Sequence, residues 1–231
     1  MKFAPEYVES VLSGNFEDAK ARFLGPLITI QRAHLVMLAD CGIVSADDAR
    51  TIRDAIQTIP LDAVRRADYD GSCEDLFFYV QRQLAAACGE AVAGRLGTAA
   101  SRNDLDMTMY RMRLREALAD LAAALHALRR VLSGLAVRHR DTLVAAHTHA
   151  QPAQPTTVAH YLLAVMEQLE RDDGRLRAAF QTTNRCPLGA CAITGTGFPI
   201  DRELTASLLG FEGPALNTYG SIATIDYLLE S

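Results

Sequence analysis

Seven leucines, Leu114, Leu118, Leu121, Leu125, Leu128, Leu132 and Leu135, recur at alternating spacings of four and three. That is a heptad seam of period 3.5, and an α-helix turns it into one continuous stripe. Met107 and Tyr110 carry the stripe backwards. A helix from Leu105 to about Arg140 would be roughly 50 Å long at about 1.5 Å per residue. A single small domain cannot cover that length, so other subunits are the natural cover. Alanine and leucine dominate the apolar fraction and tryptophan is absent, which favours helices over sheets. No convincing period-two strand is visible. The fold class expected is all-α, a bundle of long helices.

Other helices are marked by their ends. Asn15-Phe16-Glu17-Asp18 opens one that could run to about Asp40, with Cys41-Gly42 as its stop. Ser45-Ala46-Asp47-Asp48 is a capping box, and Pro60 closes the helix after it. Asp70-Gly71-Ser72 is a turn. Ser72-Cys73-Glu74-Asp75 starts a helix that Gly89 interrupts. A second long helix is expected from about Thr156 to Thr183, with Leu162, Val165, Leu169 and Leu176 on its apolar side and a solvated break at Asp172-Asp173. A short helix follows from Asp201 to Leu209, and Tyr219 to Ser231 begins another, with the chain ending inside it. The domains expected are residues 1–98, helical, and 99–231, part of a central bundle.

Two polar stretches flank the leucine helix. Ser101-Arg102-Asn103-Asp104 is a helix start in which Ser101 caps and Asp104 completes the box. The first turn of a helix carries free N–H groups and a positive dipole end, and Arg102 and Asn103 add side-chain donors. That is a carboxylate or phosphate site, or else an ordinary cap with polar surface residues. The second stretch is His147-Thr148-His149-Ala150-Gln151-Pro152-Ala153-Gln154-Pro155. Two histidines at i and i+2 lack a third ligand at a metal-like spacing, so no metal is expected. Imidazole suits proton transfer near neutral pH. Gly195-Thr196-Gly197 lacks the strand, third glycine and Lys-Ser/Thr of a phosphate loop and is a turn before the Pro199-Ile200-Asp201 helix start.

Bulk properties narrow the partners. A net charge of -5 with no basic block argues against nucleic acid. The five cysteines, at 41, 73, 88, 186 and 191, include no Cys-x-x-Cys pair, so a reducing, cytoplasmic setting fits. No run of about 18 apolar residues predicts a membrane span, and the first residues lack the apolar core of a signal peptide.

Ser-Arg-Asn-Asp before a long helix, then Thr-His-x-Gln-x-Ala-Gln-Pro, resembles the first two sequence blocks of the argininosuccinate lyase branch of the fumarase/aspartase superfamily. Pro187-Leu188-Gly189-Ala190 with Asp201-Arg202-Glu203-Leu204, and Ala33-His34 with Met37-Leu38, are similar to further parts of that branch. The resemblance covers most of the chain, from about Ala33 onward. It implies a bundle of the fumarase/aspartase type, truncated before its C-terminal part, and a homotetramer in amino-acid metabolism such as arginine biosynthesis. It implies a lyase that eliminates an amine or guanidine from a small N-succinyl dicarboxylate to give fumarate. No cofactor, metal, nucleic acid or membrane is implied.

By the same resemblance, Ser101, Arg102 and Asn103 bind a carboxylate, and Thr148 donates to it. His149 is catalytic, orienting or polarising that end and relaying a proton. His147 is structural, Gln151 supports the loop, and Gln154 supports it and touches substrate. Asp104 caps the turn or pairs with Arg102. The family's base is a serine on a Gly-Ser-Ser-x-Met-Pro-x-Lys-x-Asn loop that has no match in these residues, so the chain is expected to be an incomplete form, inactive alone. Four departures stand out. Ala99 and Ala100 replace a Gly-Arg pair, Phe77 replaces a His, and Gln31 replaces a Ser on the substrate side. Lyases for other N-substituted aspartates and a non-catalytic structural homologue are the rival readings.

Overall fold

The computed structural model of the protein describes residues 3–231. The chain divides into two compact units. The first comprises the chain up to Arg113 together with Asn184–Ile225, and the second comprises Leu114–Thr183 and Asp226–Ser231.

The first unit begins with α1 (Pro5–Tyr7) and a π-helical turn (Val8–Leu12), then α2 (Ser13–Arg22) and α3 (Leu24–Asp40). The single helix expected up to Asp40 is thus two, separated at Phe23, which has φ -117° and ψ -8°. Gly42, at φ 68°, stops α3 where expected. Helix α4 (Ala46–Thr58) starts on the Ser45 box: the Asp48 N–H donates to Ser45 Oγ at 3.1 Å. After α5 (Leu61–Arg66), the Asp70-Gly71-Ser72 turn closes with Ser72 N–H on Asp70 Oδ1 at 2.9 Å. Helix α6 (Leu76–Cys88) begins later than Ser72, because Asp75 is the residue that accepts the first-turn N–H, from Phe78. Gly89, at φ 82°, separates α6 from α7 (Glu90–Arg95).

The core of this unit is built from apolar residues at helical spacing. Ile30, Met37 and Leu38 of α3, Ile52 and Ile56 of α4, and Val80 and Leu84 of α6 are buried in one cluster. Each such side chain contributes about 1.5–3 kcal/mol by leaving water. Helix α3 packs on α4, and α4 on α6.

Helix α8 (Arg102–Arg138) runs for 37 residues, as the leucine seam predicts. Its part from Leu114 onward belongs to the second unit, where the seam is only half covered. Leu118 and Leu125 are buried, whereas Leu121 and Leu128 are 54% and 47% exposed. The expectation of no strands fails next: β1 (Leu143–Thr148) and β2 (Gln151–Thr157) form an antiparallel hairpin. Three alanines and two prolines hide the alternation, and a bulge at Ala146/His147 shifts the register opposite Pro152. Helix α9 (Val158–Thr183) passes through Asp172-Asp173 unbroken. Asp173 is more shielded than a solvated break would be. Its side chain is 14% exposed and takes hydrogen bonds from His126 of α8 and Arg177 of α9 at 2.8 and 2.9 Å.

The chain then returns to the first unit. Strands β3 (Arg185–Cys186) and β4 (Gly213–Pro214) pair in parallel around α10 (Arg202–Leu208), which Asp201 caps through Leu204 N–H. The last expected helix is two short ones, α11 (Thr218–Ala223) and α12 (Asp226–Leu229), because Thr224 leaves helical backbone at ψ 146°. Among the described residues no helix is long and apolar enough to cross a membrane, and all five cysteines are free.

Candidate active site

The Ser101 turn is held by separate stretches of the first unit. Ser101 Oγ accepts the Asn103 N–H at 3.3 Å, and Asp104 Oδ1 accepts the Ser101 N–H at 2.9 Å, which completes the reciprocal box. Asp104 does more than cap. Its Oδ2 accepts the N–H groups of Gly189 and Cys191 at 2.9 and 2.8 Å. A fully buried carboxylate thus bolts the 187–192 loop to the start of α8. Burial pushes the Asp104 carboxyl up to about 6, against the three N–H bonds that favour its charged form. It does not pair with Arg102.

Arg102 is held elsewhere. Its guanidinium sits between Asp75 and Asp106, the latter at 3.4 Å, and faces the rings of Phe77 and Phe78 at 5.6 and 5.7 Å. Burial raises the Asp106 carboxyl, and the Arg102 charge partly offsets that. What Arg102 presents at the helix start is therefore its backbone N–H, since the guanidinium is engaged by two carboxylates. Asn103 is exposed, and its amide donates to the Ala192 carbonyl at 2.8 Å, which leaves a second amide N–H for a ligand. Ser101 is half-buried.

The approach to the turn is fixed from behind. Ala99 has φ 56°, a left-handed conformation that L-residues avoid, and its carbonyl accepts the Cys191 thiol at 3.3 Å. His34 Nε2 donates to the Thr98 carbonyl at 2.9 Å. Gly189 has φ 88°, and a Cβ there would lie 2.8 Å from Arg202 Cγ and Ile200 Cδ1. Arg202 has little room to yield, because its guanidinium group donates to the carbonyls of Leu188 and Ala215 at 3.0 and 2.9 Å. Gly189→Ala is therefore expected to lower stability by about 1–2 kcal/mol, seen as a lower urea midpoint at unchanged slope.

The remaining candidates lie in the second unit, at the end of the β1–β2 hairpin. Thr148 pairs with Gln151, and His149-Ala150 form the two-residue turn. Both turn residues have positive φ, 49° and 60°. Such turns favour Asn-Gly, so histidine and alanine there carry strain. His149, Thr148 and Gln154 are exposed; Gln154 pairs with Ala146 in the strand. His147 Nδ1 lies 3.0 Å from the Ala145 carbonyl, a local backbone contact.

Sequence reasoning missed the Asp104–loop bond and the Asp75–Arg102–Asp106 group. No periodicity links positions 104 and 189. The Asp75 signal was present, since an acidic residue immediately before a helix start is a cap.

Residues 71–231 match the lyase family model. Argininosuccinate lyase 2 of Agrobacterium fabrum is 44% identical over 228 residues, covering 96% of this chain and 44% of that protein. Argininosuccinate lyase of Methanosarcina acetivorans is 41% identical over 203 residues, 88% of this chain and 41% of that one. The chain thus spans less than half the length of these curated relatives. Among solved structures, an EDDS lyase variant with bound fumarate superposes with a TM-score of 0.84 at 34% identity, over 98% of this chain and 45% of that one. Fumarate lyase from Mesorhizobium sp. BNC1 shares the fold, with a TM-score of 0.75 at 23% identity over 89% of this chain and 50% of that one. With its helical fold, its Ser101 turn and these matches, the chain belongs to the lyase family of the fumarase/aspartase superfamily, and within it to the neighbourhood of the argininosuccinate lyases.

Proposed function

We propose that the chain supplies the carboxylate-binding turn of a lyase that splits an argininosuccinate-like N-succinyl substrate into fumarate and an amine or guanidine. The observation that carries this reading is the Asp104 lock. Three N–H bonds hold the Ser101 turn and the 187–192 loop in one arrangement before any ligand arrives. Elimination needs such a fixed site. A proton leaves the carbon beside one carboxylate, and that carboxylate takes up the electron pair. The pair then forms the double bond as the neighbouring C–N bond breaks, and the nitrogen leaves with its electrons and gains a proton. The intermediate carries a doubly charged carboxylate, so donors aimed at it beforehand lower the barrier most.

In this reading Ser101, the Arg102 N–H and Asn103 bind that carboxylate, with Thr148 as a further donor. His149 acts in proton movement, and Gln154 supports its hairpin and touches substrate. The base is assigned to no residue of this chain. No metal or cofactor is needed for the steps described. A homotetramer is proposed, and the exposed Leu121 and Leu128 support it, since an open seam on a long helix is what a partner helix covers.

A second reading has its own support. The likeness to EDDS lyase, at 34% identity over nearly the whole chain, favours another N-substituted aspartate as substrate. Fumarate release from argininosuccinate tests the first reading. It is measured on this chain and on the chain continued by its own gene sequence to the length of its relatives. Release by the longer form is the expected result. Release from neither form rejects argininosuccinate, and failure of a panel of N-substituted aspartates as well rejects the lyase reading in favour of a structural homologue.

A further inference from the structure

Ala99 is the strained point in the chain leading to the Ser101 turn. Its φ of 56° is left-handed, which is unfavourable for alanine unless the surroundings hold it there. Packing does not hold it on every side, because a cavity of about 240 Å³ borders Gly97, Ala100 and Ser101. Hydrogen bonds to the two flanking peptide groups do. The Thr98 carbonyl accepts from His34 Nε2 at 2.9 Å, and the Ala99 carbonyl accepts the Cys191 thiol at 3.3 Å. A thiol is a weak donor, so the imidazole is the stronger hold. His34 is 2% exposed, and burial pushes its pKa below the ordinary value, which favours the neutral ring. With Nε2 donating, Nδ1 is a bare acceptor that has no hydrogen-bond partner among the described residues. An apolar side chain would fill the same place without orphaning a nitrogen. The bond to Thr98 is thus what the imidazole adds. Gln31, also 2% exposed, lines the cavity with an amide that lacks a partner among the described residues.

We infer that His34 is a positioning residue for carboxylate binding: it keeps the Thr98–Ala99 peptide turned so that the strained Ala99 delivers the Ser101 turn to its ligand. The inference rests on the reading that this turn binds the substrate carboxylate. Without the bond, the peptide is free to rotate and Ala99 to return to ordinary backbone angles. The cavity leaves room for that, and the Gln31 amide offers a partner to a peptide group that swings inward. Asp104 still accepts the Ser101 N–H, so the helix start survives. What changes is the path of Ala99 and Ala100, and with it the aim of the Ser101 hydroxyl at the carboxylate. The ring acts through the backbone and needs no contact with substrate.

Fumarate binding, read by calorimetry on the chain continued to the length of its relatives, tests this beside the melting temperature. His34→Met fills a similar volume without a donor. It is expected to weaken fumarate binding by about tenfold or more at an unchanged or higher melting temperature. His34→Gln carries an amide N–H about as far from the backbone as Nε2, and is expected to bind within about threefold of the parent. Adding Ala99→Gly to His34→Met is expected to recover most of the lost affinity, because glycine adopts the left-handed backbone without strain. A role in packing alone predicts that Gln fails as Met does and that glycine at 99 restores nothing. Binding by His34→Met within about threefold of the parent overturns the inference. So does a loss that neither His34→Gln nor Ala99→Gly reverses. A parent that binds no fumarate overturns the carboxylate reading of the turn and this inference with it, a result separate from either failure of the variants.

Discussion

Asp104→Asn is expected to lower the unfolding free energy of the chain by about 2–4 kcal/mol near pH 4.5, with the gap narrowing by about 2 kcal/mol at pH 7.5. The first part follows from donors and acceptors. The Asp104 carboxyl accepts three buried or half-buried N–H groups, from Ser101, Gly189 and Cys191. Asparagine keeps a single acceptor oxygen. Its NH₂ must face either the Ser101 N–H or the pair from the loop, donor against donor, whereas the carboxyl, even when protonated below pH 6, keeps a lone pair on its hydroxyl oxygen for that N–H. The second part follows from the sign of the shift. The folded-state pKa stands at about 6, above the ordinary carboxylate value near 4. Between those values the folded protein binds more protons than the unfolded one. Asp104 therefore contributes most stability below about pH 4, and that contribution falls as pH rises towards 6 and is gone above it. Asparagine has no such dependence. Urea unfolding of both proteins at pH 4.5, 6 and 7.5 checks this, and a gap that is constant or widens with pH would show that Asp104 is not held above its ordinary value.

The same residue marks the limit of sequence reading. Local chemistry was legible: Ser45, Asp201 and Ser101 announce helix starts, Gly42 and Gly89 announce stops, and the leucine heptads announce a 37-residue helix. Each of those signals lies within one or two turns of what it predicts. The Asp104–Gly189 bond spans 85 positions and has no local signature. Arg102 shows the same limit in another form. A motif suggested an arginine aimed at substrate, whereas tertiary packing places two carboxylates on its guanidinium. The hairpin escaped detection because alanine and proline stand where strand-forming residues usually give the alternation. Gln31 was visible only as a departure from a family pattern. Its buried amide, without a partner among the described residues, turns that departure into a physical anomaly.

His149→Asn should separate function from folding. In the proposed enzyme, carried to the length of its relatives, it is expected to reduce fumarate release by about 10²- to 10⁴-fold, the usual worth of a positioned acid–base side chain. The same substitution is expected to leave the hairpin intact or tighten it slightly. His149 sits at φ 49° in a two-residue turn that needs left-handed backbone, and asparagine tolerates that conformation better than histidine does. A purely structural role at this position would therefore be filled by asparagine at no loss. In the proposed enzyme, the left-handed backbone at this exposed hairpin end presents the His149 ring to the substrate. Two measurements on one variant decide the matter, the rate of fumarate release and the melting temperature. A large rate loss at unchanged or higher melting temperature supports the assignment. A rate within about threefold of the parent would remove His149 from the mechanism, and the strained turn would then have to be explained by a contact between subunits.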